Sequence, residues 1–396
     1  MTMWVDESDR TRGFLGAIDE SHAATDSVIL RYRRAVRIED DADADRQLKD
    51  LFARTSIREG LRIVPLGTLR DVHIDILDET TLTRTRTLKS LDGCVTIAHC
   101  LRDGTERIVF ESGANTGTAL TVYGTAVGLE TYLFVPAENV DLLDAGCFSA
   151  PGANVMSVPR PADVKPAAAE FAKQHGVRRV PETGWRVRAS TFTGCFLLEE
   201  LLGGRRVDVL AQSISAAFGP IGIYGVLTDH LAAVGTLPAF LGVQQASNPA
   251  MVRAWEAGVA EGAGSPLDTT GDLLARVMYD GVPATYGTFE RLRELLDTSS
   301  GWLRTVDGAE FEESMATEIE GESVLRRLAG QGIDITRTSD GSVLEKAGLL
   351  GLAGTVQEIA AGRIVPGSRV LVCITGGTAR PQPGVTVTPW DVGGAT

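Results

Sequence analysis

Apolar residues along this chain keep two different rhythms, and the order in which those rhythms alternate predicts an α/β fold. Residues 1 to about 60 are charge-rich, with Leu48, Leu51 and Phe52 at helical spacing. Residues 61–66 read as a short strand, and 72–77 alternate apolar and polar as a second one. Residues 81–87 alternate Thr and Arg, which predicts an extended stretch. Leu91, Val95, Ile97, Ala98 and Leu101 then give 89–102 the spacing of a helix. Strand, turn and helix repeat from there. Strands are expected at 107–110, 131–136 and 154–158, with helices at 118–127, ended by Gly128, and at 167–175. A second block opens near 205, with a strand at 207–211, a glycine-rich turn, a helix through Leu231 and a strand at 239–244. Residues 290–340 read as helical and acidic, 369–374 as a buried strand, and 380–396 as an extended or mobile tail.

This alternation predicts two open, mostly parallel twisted sheets with flanking helices. Ligands in such sheets bind at the carboxyl ends of the strands, where the glycine-rich turns lie. The expected division is an N-terminal segment, 1–88, packing on the larger domain, a smaller α/β domain, 89–205, and a larger one, 206–396.

Composition narrows the partners. The 396 residues include 52 acidic and 38 basic side chains, a formal net charge of −14, which disfavours nucleic acid and anionic membrane. Of the basic residues 33 are arginine and only five are lysine, so each lysine invites a question. Cys94, Cys100, Cys147, Cys195 and Cys373 are odd in number and widely spread, which reads as reduced thiols rather than a disulfide frame or zinc site. The five histidines show no metal spacing, and no metal is expected. No cleavable signal is read at the N-terminus, and no apolar run approaches the ~20 residues of a membrane span. A soluble cytoplasmic protein with a small-molecule substrate is expected.

The candidate chemistry starts at Lys89, which stands between the Thr-rich stretch and an apolar helix rather than on a charged face. A buried amine is depressed in pKa and becomes nucleophilic; a solvated lysine at a helix start is the plain alternative. Ser112-Gly113-Ala114-Asn115-Thr116-Gly117 follows a strand and opens a helix, a setting whose N–H groups suit an anion such as a carboxylate. An amine and an anion cradle close together are the minimum for amino-acid chemistry on pyridoxal phosphate. Gly219-Pro220-Ile221-Gly222-Ile223-Tyr224-Gly225 is a second candidate cradle, for a phosphate, and Thr375 offers a hydroxyl at a strand end. Arg84 and Arg86, two residues apart on an extended stretch, would face one way and meet an anionic leaving group or nucleophile. An exposed basic strand explains them equally.

Taken in order, these pieces resemble the fold-type II pyridoxal-phosphate enzymes, the tryptophan synthase β superfamily, and within it the threonine synthase branch. The resemblance spans about residues 60–382. It rests on Leu88-Lys89-Ser90, the Ser112–Thr116 turn, Phe134-Val135-Pro136, the loop 219–225, Val243-Gln244 with Pro249, and Thr375-Gly376-Gly377 with Arg380-Pro381 behind. It implies pyridoxal 5'-phosphate in a cleft between the two domains, with Lys89 as Schiff-base lysine and proton shuttle. Asn115 would hold the cofactor hydroxyl, Gly219, Ile221, Gly222 and Ile223 the phosphate, and Thr375 the ring nitrogen. Ser112, Gly113, Ala114 and Thr116 would hold the substrate carboxylate. Threonine synthases read Ser-Phe-Lys-Asp-Arg-Gly at the lysine, whereas Lys89-Ser90-Leu91-Asp92-Gly93 with Thr96 is closer to archaeal-type cysteate synthases. The implied reaction is β-elimination or β-replacement on a phosphorylated or otherwise activated hydroxy amino acid, such as O-phosphoserine with sulfite, in amino-acid biosynthesis. The alternatives are a threonine synthase or dehydratase, and a non-catalytic ligand-binding relative. The resemblance also implies a homodimer.

Overall fold

The computed structural model describes residues 7–259, 264–333, 335, 343, 346–376 and 387–390. Thirteen strands are described. They are β1 (Arg62–Leu69), β2 (Val72–Asp78), β3 (Arg107–Glu111), β4 (Glu130–Pro136), β5 (Ala153–Val158), β6 (Arg178–Arg179) and β7 (Val209–Ser213). Then come β8 (Ala239–Gln245), β9 (Trp302–Val306), the small hairpin β10 (Glu318–Ile319) and β11 (Glu322–Ser323), β12 (Arg369–Ile374) and β13 (Thr388–Pro389).

The larger sheet has the order β1-β2-β12-β7-β8-β9 and the smaller β13-β5-β4-β3-β6. All neighbours are parallel except the β1–β2 hairpin. Buried strands such as Val370-Leu371-Val372-Cys373-Ile374 are apolar without a break because helices cover both faces. The α/β architecture with two mostly parallel sheets is the one the alternation predicts. β1 and β2 carry the N-terminal segment into the larger sheet. At the other end β13 pairs with β5, so part of the tail belongs to the smaller sheet rather than to the larger unit.

Two elements differ from expectation. β9 interrupts the stretch 290–340 as a short edge strand between the helices Phe289–Ser299 and Gly308–Ala316, and its burial does not alternate. The helix Thr183–Leu202 has no sequence-level forecast. It is buried on most sides, from Trp185 to Leu198, and therefore lacks the polar stripe that betrays a surface helix.

Helix Lys89–Arg102 lies deep in the molecule, with every residue from Ser90 to Cys100 buried. Helices Ala42–Thr55, Asn115–Ala126 and Thr183–Leu202 pack around it. Gly93 permits one of these approaches, since a Cβ there would lie 2.8 Å from the Tyr123 ring. No described helix is long and apolar enough to cross a membrane.

Candidate active site

A cavity of about 200 Å³ opens where the carboxyl ends of β3, β7 and β12 meet the start of helix Lys89–Arg102. β2 leads the chain there. At its end Asp78 accepts hydrogen bonds from Thr80 N, Thr80 Oγ1 and Thr81 N and an ion pair from Arg62. Burial pushes this carboxyl up, but those donors outweigh burial and hold it below the usual range. The chain then turns tightly rather than running extended. Arg86 adopts a left-handed φ of 58°, and the hydroxyls of Thr85, Thr87 and Ser90 bond one another inside the turn.

The turn replaces the extended stretch expected at Arg84 and Arg86. Facing one way requires a strand, and here Arg84 is exposed while neither residue lines the cavity. What the turn does is fix Lys89. Lys89 N donates to Thr87 Oγ1 at 3.2 Å, and Leu88 N donates to Thr375 O at 3.0 Å, tying the lysine to the end of β12.

Lys89 Nζ lies 3.2 Å from Asp92 Oδ2, one helical turn along, and the same oxygen is 3.7 Å from Arg186 Nε. Burial lowers the Lys89 pKa and Arg186 lowers it further, while Asp92 and Glu79 act in the opposite direction. Glu79, at the mouth of β2, is fully enclosed. Burial raises its carboxyl to about 7 against the lowering effects of the Thr193 hydroxyl, which donates to Oε1 at 3.0 Å, and of Lys89.

Across the cavity, Ser112 Oγ accepts from Ala114 N and Gly117 N at 3.1 and 2.8 Å and so shapes the turn 112–117. Asn115 and Thr116 are the first residues of helix Asn115–Ala126, where N–H groups have no intrahelical acceptor. Gly113 must be glycine, because a Cβ would sit 2.5 Å from Val277 O. Ser112, Gly113, Ala114, Asn115 and Thr116 all line the cavity.

The structure divides the residues of the second candidate cradle. Gly219 lines the cavity, but Ile221, Gly222 and Ile223 do not. They are inside helix Phe218–Asp229, where Ile221 N already donates to Ala217 O. Gly222 serves packing instead: a Cβ would meet Val187 O at 2.4 Å on helix Thr183–Leu202. The N–H groups that face no intrahelical acceptor are those of Phe218 and Gly219, and Pro220 loses nothing in that first turn. The residue that opens the helix, Ala217, holds a left-handed φ of 59°, a conformation costing on the order of 1 kcal/mol for a residue with a Cβ. A Cβ on Gly219 would reach within 2.6 Å of Gln212 Nε2, so a side chain there would crowd the loop 213–219. Thr375 Oγ1, 3.3 Å from Ser213 Oγ, completes this wall. Gly376 is described; Gly377, Arg380 and Pro381, which belong to the same motif, lie outside the described residues.

Sequence reasoning missed four groups here. Lys165 lines the cavity 2.8 Å from Asp280 Oδ2 and 4.4 Å from the centre of the Tyr286 ring. Arg186 lies over the Phe218 ring at 4.2 Å and donates to Thr116 Oγ1 at 3.4 Å. Neither carries a local motif. Asp92 and Glu79 did leave a signal, the first three residues after Lys89 on one helix face and the second an acid ending an apolar strand.

The chain matches the family model described as "Pyridoxal-phosphate dependent enzyme" over residues 65–376. No curated protein matches it. Among solved structures it is similar to O-ureido-L-serine synthase, at 16% identity and a TM-score of 0.57, covering 82% of this chain and 91% of that one. The processed form of threonine deaminase isoform 2 from Solanum lycopersicum is 15% identical, with a TM-score of 0.59 and 86% of each chain covered. Diaminopropionate ammonia lyase from Escherichia coli is 13% identical, with a TM-score of 0.62 over 92% of this chain and 93% of that one. Likeness at these identities is a likeness of fold. The family match spans β2, Lys89, both cradles and Thr375, and by it the chain belongs to the fold-type II pyridoxal-phosphate dependent enzymes.

Proposed function

We propose that the protein catalyses β-elimination, with addition of a new nucleophile, on a phosphorylated or otherwise activated hydroxy amino acid, O-phosphoserine with sulfite being the leading pair. The observation that carries the reading is Thr375, a hydroxyl at the end of β12 where a ring nitrogen would lie. A carboxylate there would keep that nitrogen protonated, and a hydroxyl does not, which suits elimination and replacement better than transamination. The carboxylates that do line the cavity, Glu111 and Asp280, are each paired with a cation, Arg179 and Lys165.

The residues fit the cofactor. Lys89 is the amine that would hold it, and the free N–H groups of Phe218 and Gly219 suit its phosphate. Asn115, on the cavity wall, would take the ring hydroxyl, and the 112–116 turn the substrate carboxylate. The bound cofactor supplies the electron sink for a carbanion at the α-carbon. Lys89 supplies the base: burial lowers its pKa, so a larger share of the amine is neutral and able to take the α-proton. The five described cysteines are all free and buried, which supports a reducing compartment such as the cytoplasm. A homodimer accords with the family resemblance.

The test is spectroscopic and then chemical. The purified protein is expected to show the visible band of lysine-bound pyridoxal phosphate, lost in Lys89→Ala. Phosphate release is expected from O-phosphoserine, raised by sulfite, and not from O-phosphohomoserine. Release from O-phosphohomoserine alone, with threonine formed, would overturn this substrate in favour of a threonine synthase.

A further inference from the structure

The acids beneath Lys89 are unusual in their placement. Asp92 is 1% exposed, and its Oδ2 lies at ion-pair distance from two nitrogens, Lys89 Nζ at 3.2 Å and Arg186 Nε at 3.7 Å, while neither that oxygen nor Arg186 Nε has a hydrogen-bond partner among the described residues. An aspartate in the first turn of a helix commonly caps backbone N–H groups or faces the helix dipole from solvent. Asp92 does neither, since the helix start has no side-chain cap and the carboxylate is enclosed. Beside it, Glu79 Oε2 is buried without a hydrogen-bond partner among the described residues. The charged groups acting on Lys89 therefore come from three elements: Asp92 from its own helix, Glu79 from the end of β2, and Arg186 from helix Thr183–Leu202. Asp78 acts on this set through Glu79.

We propose that Asp92 is the positioning residue of Lys89, fixing Nζ at the cavity wall through an ion pair, with Arg186 competing for the same carboxylate oxygen. The inference rests on Lys89 being the amine that carries the cofactor, and it adds how that amine is prepared. When Lys89 is a free ammonium, the Asp92 carboxylate beside it favours that charged form and holds it in place. Arg186 works against this hold. It stabilises the carboxylate and repels the ammonium, so its removal and the removal of Asp92 must act on Lys89 in opposite directions.

The opposition gives the test its power, because a merely structural role would move both variants the same way. Full-length protein is freed of cofactor and treated across pH with a neutral amine-acylating reagent. The labelled Lys89 peptide is then quantified by mass spectrometry. In Asp92→Asn the midpoint of labelling is expected to fall by about one pH unit or more, about tenfold more neutral amine at a fixed pH. Asp92→Glu should restore most of the shift, and Arg186→Gln should raise the midpoint. A midpoint unmoved in Asp92→Asn, or one that moves the same way in both variants, overturns the proposal. If Asp92→Asn does not fold, Arg186→Gln decides: a midpoint that stays or falls overturns it. Retention of the coloured cofactor by Lys89→Ala would instead defeat the assignment of Lys89, a separate result from any labelling shift.

Discussion

Replacing Glu79 by glutamine should make the protein respond differently to pH in a way that can be worked out from the structure. Glu79 is enclosed at the end of β2, donated to by Thr193, with its second oxygen unpartnered. Burial is the largest influence on it and carries its pKa from 4.5 to about 7. The folded state thus holds this proton more tightly than the unfolded chain does. Stability from that proton is complete below about pH 4.5 and is lost as pH rises through about 7. At about 1.4 kcal/mol per unit the full change is about 3 kcal/mol, and about 2–3 kcal/mol of it falls between pH 5 and pH 8. Glutamine has nearly the same shape, still accepts from Thr193 and has no proton to lose in this range. Urea unfolding of both proteins at pH 5 and pH 8, followed by fluorescence, isolates the contribution, because other titrating groups cancel in the difference. Glu79→Gln should gain about 2–3 kcal/mol on the natural protein between the two pH values. A difference that stays constant would refute the argument from burial, since Glu79 would then be ionised throughout.

Gly113→Ala should destabilise the protein by about 1–3 kcal/mol, because the added Cβ would press on backbone, Val277 O at 2.5 Å, and on the Tyr279 ring at 3.0 Å. The same variant should lose the spectral change that amino acids induce in the bound cofactor, read by titration; an intact response would show that the turn does not hold substrate. Lys165→Met removes the 2.8 Å pair that joins helix Val164–His175 to the segment 264–287. The cost should be about 1 kcal/mol, and limited proteolysis within 264–287 should be faster. Unchanged cleavage would mean that the pair does not hold the segment down.

Most of the architecture was legible because parallel strands buried on both faces announce themselves as short apolar runs between turns. β3, β4, β7, β8 and β12 all follow that rule. The boundaries of helix Lys89–Arg102 were readable for the same reason, and they put Lys89 at the helix start. Helix Thr183–Leu202 was not, since burial on most sides erases the periodicity that reveals a helix. With it went Arg186. The residues read as a second cradle fall only partly on the cavity because glycine answers two needs. Gly219 leaves room beside Gln212, whereas Gly222 lets two helices approach, and a one-dimensional spacing does not separate them. The backbone at Arg84 and Arg86 was not legible, because threonine hydroxyls closed a turn that the Thr-Arg alternation had suggested would stay extended. Lys165 became visible only when Asp280, more than a hundred positions away, was brought beside it.

The hydrogen bond from Leu88 N to Thr375 O gives the site a division of labour. Lys89 begins a helix packed around by elements of the smaller sheet, yet its backbone is moored to β12 in the larger one. Glu79 N, which donates to Ile374 O, adds a second mooring on the same strand. Lys89, Thr375 and the loop 213–219 therefore form one anvil. The 112–116 turn is carried instead by β3 of the smaller sheet. On the proposed roles, a substitution that loosens the two sheets would spoil the grip on substrate before it spoils the hold on cofactor.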